Sequence, residues 1–346
     1  MNEILVVGAS GAVGSRVAGA LAPEFGRDVV LVGRREGPLR ELAARLGTRW
    51  SAADLDDPAA VRRLARGARV AVLTVEGPVA AARALLEAGA GFVDVGATPA
   101  HLARLAGLDA TAREHGATGV LSVGLAPGAS NLLAHEAAAA VGGAVRVEIT
   151  VLLGAAERHG PAAVRWTVDS LLDSAPAAPD ATVHLPGPGG TVLVRRAREF
   201  AFADAPAVAA ALGARTTSRL AFDSRPAAAT LRTLGLLRRT PWSGSGRVRS
   251  ALARSLGRVH LGGDVFTVRA DAWSASGEHA ARAVTGRRQT RATAAVTAEV
   301  ARALAHGEAR AGVVHLPDLP VATGLLARLA AAGTWQHLRL GAADGL

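Results

Sequence analysis

The sequence predicts an α/β protein in three parts. Residues 1–126 form a doubly wound parallel sheet, residues 127–310 a second α+β domain on a mostly antiparallel sheet, and residues 311–346 a segment whose helix returns to the first domain. Three observations predict this. Short, continuously apolar runs alternate with helix-length stretches through the first third, the pattern of strands buried on both faces between covering helices. A glycine-rich turn follows the first of those runs. Beyond residue 127 the continuous runs give way to apolar–polar alternation, the mark of antiparallel strands with one covered face.

The first element is Glu3 to Leu21, EILVVGASGAVGSRVAGAL. Ile4 to Val7 reads as a buried strand, and Val13, Val17, Ala20 and Leu21 as the inner face of a helix. Between them stand Gly8, Gly11 and Gly14, with Ser10, Ala12 and Val13 among them. Glycine suits a tight reversal that brings backbone against a pyrophosphate and lets the helix pack closely on the strand. The helix N-terminus then faces the phosphates with free N–H groups and a positive dipole end. The strand, turn and helix together point to a Rossmann dinucleotide site.

The second strand, Asp28 to Val32, ends in Gly33-Arg34-Arg35. Sites that prefer NAD(H) place an acid here for the ribose 2′-hydroxyl. Two arginines stand in its place, and a guanidinium can stack on adenine and pair with a 2′-phosphate. The expected cofactor is therefore NADP(H) rather than NAD(H), against a plainer reading of two solvated arginines. A short helix over Pro38 to Leu46 and a weak third strand over Thr48 to Ala53 lead to Asp54-Leu55-Asp56-Asp57. Asp54 and Leu55 fall where the adenine is held, and Asp57 reads as the N-cap of a helix starting at Pro58. The fourth strand, Val70 to Val75, turns through Glu76-Gly77-Pro78, so Thr74, Val75, Gly77 and Pro78 sit at the carboxyl edge near the nicotinamide half. Phe92 to Thr98 is the fifth strand with its exit loop and Val120 to Gly124 the sixth. Gly124 to Asn131 is the Gly/Pro-rich joint, of which Gly124 and Pro127 are candidate cofactor contacts.

In the second domain, strands are expected at Val145 to Leu153, Val192 to Phe202, Thr217 to Phe222, Val265 to Trp273 and Ala280 to Thr285. Helices at Pro161 to Leu172, Arg225 to Leu236 and Arg291 to Ala305 should cover one sheet face, leaving the other for a homodimer contact. Ser174 to Gly190 and Arg238 to Arg258 read as loops or lids, although a solvated helix face suits the arginine-rich part. Gly312 to Pro317 leads to a helix from about Val321 to Ala332.

Composition narrows the chemistry. Cysteine and tyrosine are absent, and all 39 basic residues are arginine. Disulfides, thiolate catalysis, a Tyr-x-x-x-Lys proton-donor pair and lysine Schiff bases are thereby excluded. A net charge of +10 raises the question of nucleic acid, but the arginines are interleaved with acids and aromatics are only 3%, too few for base-stacking platforms. No nucleic-acid or membrane partner is expected. Met1 leads straight into the first strand without a signal-type leader, so a cytoplasmic protein is expected. No His, Asp and Glu spacing suggests a metal site.

With the joint in view, the layout resembles the saccharopine dehydrogenase-like NADP-binding family. GASGAVG at the start, the Gly-Pro turn after the fourth strand, VDVGAT, GLAPGASNLLA and GVVHLPDLP carry that resemblance over nearly the full length. It implies a Rossmann domain, an inserted α/β substrate domain and hydride transfer to or from a small imine or secondary amine. Hydride transfer needs no protein nucleophile, only a held electrophilic carbon and usually a proton donor. The donors open to this chain are His, Asp, Glu and water. His159, in a loop after the second domain's first strand, is the first candidate; His101 and Glu76 follow. His260, His279 and His315 read as ordinary strand or turn residues. Two alternatives stand beside this: a non-catalytic NADP(H)-sensing binding protein, or a reductase of an activated C=C or C=O bond.

Overall fold

A computed structural model describes residues 2–157, 160–173, 179–224, 229, 244–256 and 262–340. The chain divides into two compact units, one of Met1–Ala129 with Thr290–Leu329, the other of Ser130–Gln289 with Ala330–Leu346.

The first unit is built on β1 (Glu3–Val7), β2 (Val29–Gly33), β3 (Arg49–Ala52), β4 (Ala68–Leu73), β5 (Gly91–Asp94), β6 (Thr118–Leu121) and β13 (Gly312–His315). They form one seven-stranded sheet in the order β13-β6-β5-β4-β1-β2-β3, with every neighbouring pair parallel. Its helices are α1 (Gly14–Phe25), α2 (Glu36–Leu46), α3 (Pro58–Ala65), α4 (Val79–Glu87), α5 (Pro99–Ala106), α6 (Asp109–Glu114), α11 (Gln289–Ala305) and α12 (Leu325–Ala331). Ile4 to Val7, Val29 to Val32 and Val70 to Leu73 are buried residue after residue, because helices cover strands of a parallel sheet on both faces. Leu21, Leu39, Leu86 and Leu105 supply the facing apolar surface from α1, α2, α4 and α5. The chain runs outward from β1 through β2 to β3, then crosses back to β4 and runs outward through β5 to β6. The order therefore reverses between β1 and β4, and the crevice at their carboxyl ends is where such sheets take ligands.

GVVH, which the sequence left without a state of its own ahead of the expected helix, is β13, pairing with β6 over Gly312 to His315, and the helix follows as α12. Four residues are too few to show a strand by periodicity; their partner makes them one.

The second unit is built on β7 (Arg146–Leu153), β8 (Ala181–Pro186), β9 (Val192–Glu199), β10 (Arg215–Phe222), β11 (Val265–Trp273), β12 (His279–Arg287) and β14 (Gln336–Leu340). The order is β14-β12-β11-β7-β10-β9-β8; β7 and β10 run parallel and the other neighbours antiparallel. The sheet is mostly antiparallel and curls into a half-barrel. α7 (Ser130–Ala140) packs on β11 and β12, α9 (Asp204–Leu212) on α7 and β10, and α8 (Pro161–Asp173) against α10 (Gly246–Leu256). The helix expected over Arg225 to Leu236 lies outside the described residues.

One stretch differs from its expected state: residues 174–190, read as a loop, contain β8. In the arginine-rich segment the helix-face reading holds over α10, whose Arg249 bridges Asp169 at 3.2 Å and Asp173 on α8. β8 also explains why β11 is buried on both faces rather than one. Thr267 donates through its hydroxyl to Pro186 O at 2.8 Å and Arg269 to His184 O at 3.0 Å, so the curled edge covers the polar side of β11. Beneath it Arg269 pairs with both carboxylate oxygens of Asp271, at 2.8 and 2.7 Å, which supplies the counter-charge that a buried guanidinium needs.

Candidate functional site

The glycine turn sits on the switch point of the first sheet. Gly8 has φ +77, and its N–H donates to Val32 O on β2 at 2.9 Å. A Cβ on Gly8 would lie 2.7 Å from Thr74 Oγ1 and 2.8 Å from Val75 Cγ1; one on Gly14 would lie 2.9 Å from Ala9 Cα. Both positions therefore need glycine for conformation and for room. Gly11 closes the turn by donating to Gly8 O at 2.9 Å. α1 then begins with no side-chain cap at Val13 and no acid in its first turn. The N–H groups of Ala12, Val13 and Gly14 have no acceptor among the described residues. An uncapped helix start behind a turn stripped of side chains fits a pyrophosphate.

The other predicted contacts of the first unit lie at strand exits along the carboxyl edge of the same sheet. Thr74 donates to Val7 O at 2.7 Å, tying the β4 exit to β1, and Val75 beside it is 42% exposed. Leu55 packs against Gly77, where a Cβ would meet its Cδ1 at 2.7 Å, so the exits of β3 and β4 meet with Pro78 next in line. Asp54 is exposed and accepts from Asp56 N, while Asp57 caps α3 by accepting from Ala59 N at 2.9 Å. Arg34 and Arg35 follow Gly33 at the carboxyl end of β2, both exposed, and neither guanidinium has a protein partner among the described residues. Gly124 and Pro127 lie on the exit of β6, where a Cβ on Gly124 would lie 3.2 Å from Pro127 O. Ser10 lies within the turn itself.

The three predicted proton donors fare differently. His159 lies outside the described residues. Glu76 is exposed, but its Oε1 accepts from Ala97 N at 3.2 Å and Thr98 N at 3.0 Å, where it caps the start of α5 from outside that helix. His101 is 2% exposed, its Nε2 3.0 Å from Oδ2 of Asp94, which is fully buried at the end of β5. The other Asp94 oxygen accepts from Gly96 N at 2.8 Å. Burial pushes the Asp94 carboxyl up. Burial also draws His101 down, but the hydrogen bond and charge of Asp94 outweigh it and hold the imidazole above its ordinary value. The two act as one proton-holding pair beneath the β5 exit. His101 Nδ1 is buried without a partner among the described residues.

Sequence reasoning passed over a second pair. Ser122, fully buried where the chain leaves β6, stands at φ +56, a left-handed conformation that costs a non-glycine residue roughly 1–2 kcal/mol. Its Oγ lies 2.8 Å from Nδ1 of His315 at the end of the neighbouring β13. Asp318 holds the His315 main chain by accepting from its N–H at 3.1 Å. Burial lowers the His315 pKa more than Asp318 raises it. The only signal in the sequence was a histidine at the end of an apolar run.

Among the described residues, no group of three or more His, Asp or Glu side chains is placed to hold a metal ion, and no helix is long and apolar enough to cross a membrane.

No protein-family model and no curated protein sequence matches this chain. Solved structures do. Over 99% of this chain and 100% of the other, it superposes on apo saccharopine dehydrogenase (L-Glu forming) from Saccharomyces cerevisiae with a TM-score of 0.65 and 13% identity. A mutant meso-dapdh with DAP from Clostridium tetani E88 aligns over 92% of this chain and 95% of its own, at TM-score 0.47 and 13% identity. A dehydrogenase (MviM) from Clostridium difficile aligns over 95% and 99%, at TM-score 0.44 and 7% identity. The full-length match to the yeast enzyme identifies the architecture: this chain has the saccharopine dehydrogenase fold.

Proposed function

We propose that this protein is an NADP(H)-dependent oxidoreductase of the saccharopine dehydrogenase-like type, acting on a small imine, secondary amine or carbonyl substrate. The observation that carries the cofactor reading is one constellation. A glycine turn with no room for a Cβ leads to an uncapped helix start, with two guanidinia at the end of the next strand that have no partner among the described residues. The backbone N–H groups of Ala12, Val13 and Gly14 would hold the pyrophosphate. Arg34 and Arg35 would hold the 2′-phosphate, and the exposed Val75 offers apolar surface at the β4 exit. When bound, the cofactor supplies or accepts the hydride. For a C=N substrate an iminium already carries its charge, which suits a chain without lysine, tyrosine or cysteine. The half-barrel sheet of the second unit would present the substrate contacts and a homodimer surface.

Calorimetry tests the cofactor. NADPH should bind, and the double substitution Arg34→Ala with Arg35→Ala should weaken NADPH by roughly 10- to 100-fold, the worth of a charge-assisted hydrogen bond. NADH binding should change little; equal losses for both would reject the 2′-phosphate assignment. NADPH consumption over amino acid plus 2-oxo acid pairs tests the reaction, and tight binding with no turnover would favour the sensing role.

A further inference from the structure

The strained Ser122 and the histidine it touches supply a group that the reading above does not use. The Ser122 hydroxyl is fully buried, and its one hydrogen-bonding partner among the described residues is His315 Nδ1 at 2.8 Å. A buried hydroxyl places its proton on the acceptor within reach, so Ser122 donates and Nδ1 is the bare ring nitrogen. The proton of the neutral imidazole is then on Nε2, because one ring nitrogen's bond sets the state of the other. Burial favours that neutral form. The ring is also held in position, since His315 and Asp318 form a capping box, the ring against the Asp318 N–H and the Asp318 carboxylate on the His315 N–H, on a β13 in register with β6 from Gly312 to His315. No described residue accepts from Nε2. The pair lies at the carboxyl edge of the sheet, on the side of β4 and β5 away from the adenine-side strands β2 and β3.

We propose that Ser122 locks His315 as its Nε2–H tautomer and that this N–H donates to a planar oxygen held at the carboxyl edge of the first sheet. Two sources offer that chemistry, the carboxamide of a nicotinamide cofactor and the carbonyl or carboxylate of a substrate. Ser122 is on this account a positioning residue that acts through His315. The proposal rests on the oxidoreductase reading for its ligand, but the tautomer is a property of the protein alone.

The test is nitrogen-15 NMR of the imidazole rings, with the His315→Asn spectrum identifying the resonance. The wild type at pH 7 should show His315 as a single Nε2–H tautomer. Ser122→Gly suits φ +56 and so keeps the fold, yet it should give a mixture of tautomers. NADPH and then a panel of 2-oxo acids are added in turn, with calorimetry alongside. Displacement of the Nε2–H resonance by NADPH places the oxygen on the cofactor, and displacement only by an oxo acid places it on the substrate. Ser122→Gly should weaken that same ligand about fivefold, the net worth of one hydrogen bond. An Nδ1–H tautomer in the wild type, or a resonance that neither ligand moves, overturns the proposal. Heat with NADPH but no displacement by NADPH or by any oxo acid defeats the proposal alone, whereas no heat with NADPH defeats the cofactor reading.

Discussion

Substitution of Gly8 by alanine tests the glycine turn most directly, because the structure gives each part of the cost. At φ +77 a Cβ carries the left-handed penalty, roughly 1–2 kcal/mol. The new methyl would stand 2.7 Å from Thr74 Oγ1 and 2.8 Å from Val75 Cγ1, well inside the ~3.5–4.0 Å at which non-bonded atoms settle. Val75 is exposed and can swing away; Thr74 cannot turn without giving up its 2.7 Å bond to Val7 O, worth about 1 kcal/mol. The sum is about 2–3 kcal/mol, which calorimetric melting should report as a fall of roughly 5–10 °C. NADPH affinity should drop by about tenfold or more, since the exits of β1 and β4 are pushed apart where the phosphates would lie. Gly19→Ala is the control: it lies in α1 with nothing within 4 Å of a new Cβ, and should leave binding intact while adding about 0.5–1 kcal/mol. Circular dichroism separates a displaced turn from a lost fold. If Gly8→Ala melts and binds NADPH as the wild type does, the turn is not confined as described.

Three further predictions concern charge. Asp94 and His101 both titrate above their ordinary values, so the folded protein holds protons that the unfolded chain releases. The stability that His101 contributes is complete below the unfolded imidazole value of 6.5 and is lost as pH rises through the raised folded value; urea unfolding should show a smaller loss from pH 6 to pH 8 in His101→Gln than in the wild type. The Asp173 carboxyl is lowered by Arg249, so its contribution is present above the unfolded value of 3.8 and lost as pH falls through the folded one. With Asp173 mostly exposed, Arg249→Ala should cost under about 1 kcal/mol at pH 7, and NMR titration should find Asp173 back near its ordinary value. Arg269→Ala removes the bidentate partner of the buried Asp271 and leaves that carboxylate, among the described residues, with His279 at 2.8 Å; equilibrium unfolding should show a loss of about 3–5 kcal/mol.

What could be read from the sequence was local. Gly8, Gly11 and Gly14 lie within one turn of chain, and their reason for being glycine, a Cβ-free approach of strand, turn and helix, is contained in that stretch. β1, β2 and β4 were visible for a similar reason: burial on both faces writes itself as a run of Val, Leu and Ile. The Asp94–His101 pair was only seven residues apart and still escaped notice, because period and spacing do not say which polar side chains are fully buried. Ser122 and His315 are 193 residues apart, so nothing short of the sheet order joins them. β8 fails for yet another reason. Its sequence, set among proline, alanine and glycine, is ordinary loop composition, and it earns its place by covering Thr267 and Arg269 on a strand 81 and 85 residues onward. Where tertiary contact rather than local pattern makes an element, the pattern is silent.

The seventh strand of the first sheet has a consequence for how this protein is made. β6 ends at Leu121 and the strand that lies against it begins at Gly312. During synthesis at about 5–20 residues per second, the flank of β6 waits roughly 10–40 s for its neighbour, with the second unit emerging in between. Until then that flank is a bare row of main-chain donors and acceptors, open to a strand from another nascent chain. Truncation just before Gly312 would make the waiting state permanent, and such a product should associate through that flank even though every glycine of the turn between β1 and α1 is present.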